Sequence, residues 1–351
     1  RTMTDRFDAR LFALLRERAD HIGALRDAGA LDPYTHERAV VANAEAAAAA
    51  AGVDAEVARA VGIALARADL AGLSRTQRRA AATERIGAAT VIGGGGRMGA
   101  WMARFLDARG YDVLVADPAG SPDGFAHTAE WRGAVDAADI VVVAAPLRAS
   151  NGVLHDLAAA PPRGVVFDIG SLKSPLRSGL AALRSAGARV TSVHPMFGPD
   201  VELLTGRHVI FCDLGDAAAT ATAEDLFAGT TARRVHMSIE QHDRVIAYIL
   251  GLSHALNIAF VTAVAESGEA APRLAELSST TFEAQLDVAR RVVRENPRLY
   301  FEIQHLNDYG IESLAALSYA VEKVRSVVRA GDEEGFCRLM AQGLAYTQAR
   351  G

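Results

Sequence analysis

Only two cysteines occur in the 351 residues, Cys212 and Cys337, and they lie far apart. That spacing gives no disulfide framework and no cysteine-based metal site, and it suits two reduced thiols in a cytoplasmic protein. Lysine is equally scarce: Lys173 and Lys323 leave thirty-five of the 37 basic positions to arginine. Routine positive charge therefore falls to arginine, which marks the amine at 173 for a particular task. Basic charge is not in excess, and a formal net charge of −5 gives no support to nucleic-acid binding. No secretory segment opens the chain, and its most apolar stretches read as strands or amphipathic helices too short to span a membrane. What is left is a soluble chain long enough for two or three domains.

Residues 1 to about 80 read as a helical module. Phe7, Leu11, Leu14, Leu15, Ile22 and Leu25 recur at helical spacing, and Gly29 with Pro33 ends that run. A second helix runs from about Thr35 through an alanine tract to Gly52, and Asp54 caps a third. With no large aromatic core, these helices call for a second copy of the chain. From 86 to 237 strands alternate with helices, which predicts a parallel sheet: Thr90–Ile92, Tyr111–Ala116, Ile140–Ala144, Gly164–Asp168 and Arg189–Val193, with His208–Cys212 as an edge strand. From 238 to 351 the pattern is helical throughout, with helices expected at His242–Ala265, Ala271–Arg294, Pro297–Leu306, Ile311–Arg329 and from about Glu333. Such helices complete a substrate cleft and form a homodimer.

Gly94, Gly96 and Gly99 stand in the spacing G-x-G-x-x-G between a strand and a helix, and Asp117 ends the next strand. Gly94 permits the tight turn, Gly96 admits a pyrophosphate to the backbone, and Gly99 lets the helix pack closely. The helix N-terminus, where Arg97 and Met98 stand, then faces the phosphates; the Arg97 side chain either touches them or is solvated. A carboxylate at 117 accepts from both ribose hydroxyls and repels a 2′-phosphate, which favours NAD over NADP. Ala145 and Pro146, leaving a later strand, either line the nicotinamide side or simply end that strand.

Two polar loops follow: Asp168-Ile-Gly-Ser-Leu-Lys173 and His194-Pro-Met-Phe-Gly-Pro199. His194, read as lying in a loop just past a buried strand, suits proton acceptance from an alcohol while hydride leaves. Ser171 orients the imidazole or shares the substrate hydroxyl. Lys173 binds a substrate or cofactor anion, or holds its loop. Ser171 lacks the glycine-flanked nucleophile elbow, so a hydrolase triad is the poorer use of these groups. His194, His236 and His242 are not spaced as metal ligands. His242 either faces the cleft or points to water from a first helical turn. Arg290 and Arg291 offer a fork for a carboxylate, but adjacent helical residues diverge, so only one enters the cleft.

The segments Val91–Gly99, Gly170–Lys173, His194–Asp200, Glu240–Asp243, Leu277–Ser279 and Arg291–Ile303 together resemble the prephenate dehydrogenase family, in the bifunctional form that carries a chorismate mutase. The resemblance implies NAD-dependent oxidation of the ring alcohol of prephenate with loss of carbon dioxide. His194 matches the catalytic base, Ser171 its supporting serine, Lys173 the lysine after it, His242 a cleft histidine, and Arg291 rather than Arg290 the carboxylate-binding arginine. Two departures stand out. Phe282-Glu283 replaces a tyrosine–arginine pair, which opens the way to an amino-bearing substrate such as 4-amino-4-deoxyprephenate. In the mutase-like module Arg1, Arg18 and Arg38 match substrate-binding arginines, but a loop lysine is missing and Ala39 takes an acidic position. A silent mutase is expected; a bifunctional enzyme and a non-catalytic NAD-binding regulator are the alternatives.

Overall fold

The structure is a computed structural model that describes residues 3–71, 85–269 and 271–349. It divides into two compact units. One comprises residues up to 171 together with 176–239; the other comprises 172–175 together with 240 onward.

The first unit opens with three helices, α1 (Met3–Asp27), α2 (Pro33–Ala51) and α3 (Ala55–Leu70). Each start has a local cause. Asp32 accepts from the Tyr34 and Thr35 amides with Pro33 in the first turn, and Asp54 accepts from Glu56 and Val57. Gly52, at φ +68°, ends α2 in the left-handed conformation that only glycine adopts without penalty. The alanine tract of α2 lets α3 approach closely: a Cβ on Gly62 would stand 3.0 Å from the Ala44 Cβ.

The sheet has eight strands: β1 (Gly87–Ile92), β2 (Tyr111–Ala116), β3 (Ala126–Thr128), β4 (Ile140–Val143), β5 (Val165–Asp168), β6 (Arg189–Pro195), β7 (His208–Cys212) and β8 (Arg233–Met237), in the order β3-β2-β1-β4-β5-β6-β7-β8. Every pairing is parallel except β6 with β7, where His194 stands opposite Ile210. β4 and β5 are buried on both faces, as unbroken apolar runs require. The strand order reverses at β1, so the glycine turn after Ile92 lies at the switch point of a doubly wound sheet, where such sheets bind dinucleotides. A run of rings fills one face: Tyr34 of α2 meets Phe105 edge-on at 5.2 Å, and Phe105 stacks on Trp101 at 5.1 Å and on Phe227 at 4.6 Å.

The expectations need four corrections here. β7 is not the edge; β8, Arg-Arg-Val-His-Met, continues the sheet, and its charged, half-exposed pattern hid it from a hydrophobic search. β3 is only three residues long and has no buried residue to betray it. In the second unit the helix expected over Ala271–Arg294 is two, Ala271–Glu276 and Thr280–Val293, because the Ser279 hydroxyl accepts from the Phe282 amide and starts a new helix. Finally, Ile239–Glu266 is helical over 28 residues through a π-turn at Ala247–Leu252, and by length and composition it can cross a membrane, contrary to the reading of its sequence. The remaining helices of this unit are Pro297–His305, Gly310–Ala330 and Glu333–Gln348.

Candidate active site

In the first unit the glycine turn is shaped by contacts that leave no room for side chains. A Cβ at Gly93 would lie 2.5 Å from the Ala145 nitrogen, one at Gly94 2.8 Å from Val115, and one at Gly99 2.2 Å from the Gly93 carbonyl. Gly96 differs: its Cβ would meet only the Gly93 oxygen, at 3.3 Å, and its backbone caps the helix Arg97–Ala108 without a side-chain hydrogen bond. That helix N-terminus is therefore a cradle for an anion. Asp117, just past β2, accepts from the Gly95 amide at 3.0 Å and from Ala119 at 2.8 Å, which stations its carboxylate beside the turn. The residues fit a dinucleotide with free ribose hydroxyls. Ala145 and Pro146 leave β4, and their carbonyls accept from the buried Ser150 hydroxyl. Two fingerprint side chains are otherwise engaged. Arg97 donates to Asp200 at 2.6 Å, and Met98 packs against the core, which leaves its backbone for the cofactor side.

His194 is not in a loop but is the penultimate residue of β6, and it is 5% exposed. Continued pairing with β7, which the sequence did not betray, extends the strand through Pro195. β5 and β6 run parallel, with Asp168 opposite Ser192, so Ser171 and His194 both lie at the carboxyl ends of neighbouring strands. Ser171 is half-buried. Behind them the buried Asp168 accepts from the Ser192 hydroxyl at 2.5 Å and from the Gly170 amide at 2.9 Å, which fixes the loop that carries Ser171. Sequence reading passed over this use of Asp168.

In the second unit the organising group is Asp243, which sequence reading took only as part of a motif. Its fully buried carboxylate accepts from the Lys173 amide at 2.9 and 3.1 Å, from the amide and hydroxyl of Ser174, and lies 2.6 Å from Nδ1 of His242. Its own carbonyl accepts from Asn307 at 2.9 Å. Burial pushes the Asp243 carboxyl up, but His242, Ser174 and the Lys173 N–H more than offset this and hold it below the ordinary carboxylate range. Both His242 and Lys173 are fully buried, so the water-facing alternative for His242 is excluded. Arg291 is exposed on the last turn of Thr280–Val293, and Arg290 pairs with Asp287 at 3.0 Å. Glu283 lies half-buried in the first turn of the same helix.

A further histidine went unnoticed in the sequence. His254 stacks on Tyr300 with ring centroids 4.1 Å apart, and burial lowers its pKa to about 4. Its Nδ1 and the Gln304 Oε1 are buried without a hydrogen-bond partner among the described residues.

In the helical module both terminal guanidinium nitrogens of Arg18 donate to Asp69, at 2.5 and 2.6 Å, and His36 lies 2.8 Å from the same carboxylate. Burial raises the Asp69 pKa, yet His36 and Arg18 together hold it below its usual range. Arg38 is exposed on α2, and Arg1 lies outside the described residues.

The chain matches the family model of the prephenate dehydrogenase nucleotide-binding domain over residues 124–236 and that of the prephenate dehydrogenase dimerization domain over 238–342. A 4-amino-4-deoxyprephenate dehydrogenase of Streptomyces pristinaespiralis is 29% identical over 268 residues, covering 73% of this chain and 90% of that protein. A probable arogenate/prephenate dehydrogenase of Methanocaldococcus jannaschii is 25% identical, covering 73% of this chain; the chain spans only 60% of that relative's length. Among solved structures, prephenate dehydrogenase from A. aeolicus in complex with hydroxyphenyl propionate and NAD+ superposes with a TM-score of 0.58 at 18% identity, covering 75% of this chain and 98% of that one. At that identity the likeness is one of fold.

Proposed function

Because the chain belongs to the prephenate dehydrogenase family, we propose that it oxidises prephenate, or a close analogue, to a 4-substituted phenylpyruvate with NAD and release of carbon dioxide. The observation that carries this reading is the pairing of a buried His194 and a half-buried Ser171 at the carboxyl ends of adjacent parallel strands, in a sheet whose first strand ends in the glycine cradle. Bound at that cradle, NAD supplies a hydride acceptor. His194 takes the proton of the ring alcohol as its carbon is oxidised, and Ser171 orients that hydroxyl. The electrons of the breaking carbon–carboxylate bond flow into the ring, which becomes aromatic, so the chain has to orient groups rather than supply driving force. Arg291 is the group proposed to bind a substrate carboxylate, with a geometry suited to two parallel hydrogen bonds. Lys173 and His242, anchored around Asp243, shape the substrate side.

Two observations favour a second substrate, 4-amino-4-deoxyprephenate. The Streptomyces relative that carries that name is matched over 90% of its length, and Glu283 offers a carboxylate to an amine. The helical module is proposed to be a chorismate-mutase-like fold without mutase activity. Support comes from Arg18, whose fork is already taken by Asp69 and so is not available to a substrate carboxylate. The dimerization-domain match supports a homodimer, and Cys212 and Cys337, which form no disulfide among the described residues, suit a cytoplasmic enzyme.

The test is NADH formation by the purified chain with prephenate and with its 4-amino analogue, alongside His194→Asn. Turnover of at least one substrate is expected, lost by about a hundred- to ten-thousand-fold in the variant. No NADH with either substrate overturns the dehydrogenase reading, and rapid conversion of chorismate to prephenate overturns the silent mutase.

A further inference from the structure

We propose that Glu37 of the helical module is a positioning residue of the dehydrogenase unit, holding the loop that follows His194 through the amides of Leu204 and Thr205. This rests on the reading of His194 as the proton acceptor. Glu37 is 1% exposed, and among the described residues its carboxylate accepts four hydrogen bonds: from the Leu204 amide at 3.0 Å, the Thr205 amide at 2.6 Å, the Thr205 hydroxyl at 2.5 Å and the Thr231 hydroxyl at 2.9 Å. A carboxylate withdrawn from water keeps its place only if such donors replace its hydration, so this arrangement is a built junction rather than an incidental contact.

The loop it grips, residues 196–207, starts directly after His194-Pro195 and returns as β7, whose Ile210 faces His194 across the antiparallel ladder. Consecutive side chains point opposite ways there. Leu203 packs among Ile22, Leu31, Val40, Ala66 and Leu70, which form the core of the helical module, whereas Leu204 packs into the core of the sheet. The same loop is tied to the cofactor helix, through Trp101 Nε1 donating to the Val201 carbonyl at 3.0 Å and through Arg97 donating to Asp200. The loop therefore has two moorings, one on the helix that begins at Gly96 and one on Glu37. Movement of the second shifts the segment leading out of His194.

The experiment uses the full chain with Glu37→Gln, Glu37→Asp and, should the first fail to fold, Thr205→Val, which removes one donor from the loop side. Amide hydrogen exchange at Leu204 and Thr205 and the imidazole titration of His194 by NMR are both read without turnover. Expected for Glu37→Gln is faster exchange confined to the loop with unchanged protection in β1, β4 and β5, together with a displaced His194 midpoint. In turnover, kcat drops by about tenfold while KM for NAD stays within about twofold, and Glu37→Asp recovers part of the loss. Unchanged exchange at the two amides, an unmoved His194, or exchange that rises uniformly across the sheet overturns the proposal. A wild-type chain that forms no NADH counts against the dehydrogenase reading alone, since the exchange and the titration still decide the mooring.

Discussion

Asp243 shows how one residue can order a site that it does not visibly belong to. Its folded pKa is depressed below the unfolded value of about 3.9, so its contribution to stability is fully present above that value and is lost as the pH falls through the folded one. Asp243→Ala strands the buried His242 and the Lys173 and Ser174 amides, and it should cost about 3–5 kcal/mol. In thermal melts the gap between wild type and variant should narrow below about pH 4; a gap that is flat with pH refutes the assignment. His254 has the same sign at a higher pH. Its folded pKa of about 4 lies below the unfolded value of about 6.5, so protonation opposes folding and its contribution declines as the pH drops from 6.5 towards 4. A ring titration by NMR with a midpoint near 6.5 would contradict this. At this scale the sequence spoke clearly where a motif was contiguous, as at Gly94–Gly99 and His194–Asp200. It was silent about Glu37 and Asp69, whose partners lie 167 and 51 residues away. Long-range pairing of carboxylates leaves no local pattern to read.

Two glycines in one turn separate folding from binding at the level of elements. Gly99→Ala drives a Cβ to within 2.2 Å of the Gly93 carbonyl and should lower the melting temperature sharply, because the helix cannot then lie against the turn. Gly96→Ala has 3.3 Å to the same oxygen, so the fold should survive while a methyl intrudes on the anion cradle. NAD affinity, followed by fluorescence titration, should fall by about tenfold or more; equal effects of both substitutions on stability would refute the distinction. Helices and buried parallel strands were legible because burial imposes a period or an unbroken apolar run on them. β3 and β8 were not, since they are short or charged and owe their existence to a neighbouring strand. The break at Leu277–Ser279 turned on one hydroxyl cap, a signal easily lost inside a long helical pattern.

For the whole molecule, the C-terminal helices leave apolar ridges uncovered in the single chain. Val321, Val324 and Val328 recur at helical spacing on Gly310–Ala330, and Phe336, Met340 and Leu344 on Glu333–Gln348, each more than 40% exposed. Ridges of this kind in a domain matched as a dimerization domain call for a second copy. Val324→Glu combined with Met340→Glu should convert the dimer to a monomer in light scattering, and an unchanged mass would place the interface elsewhere.

The junction at Glu37 also sets a schedule for synthesis. The helices of the first seventy residues leave the ribosome long before Leu204 and Thr231, which lie 167 and 194 residues further on. At ribosomal speeds that is a delay on the order of ten to forty seconds. Until then Glu37 must remain hydrated and Leu203 is missing from the cluster it completes, so this segment waits for its native packing although it is made well before its partners.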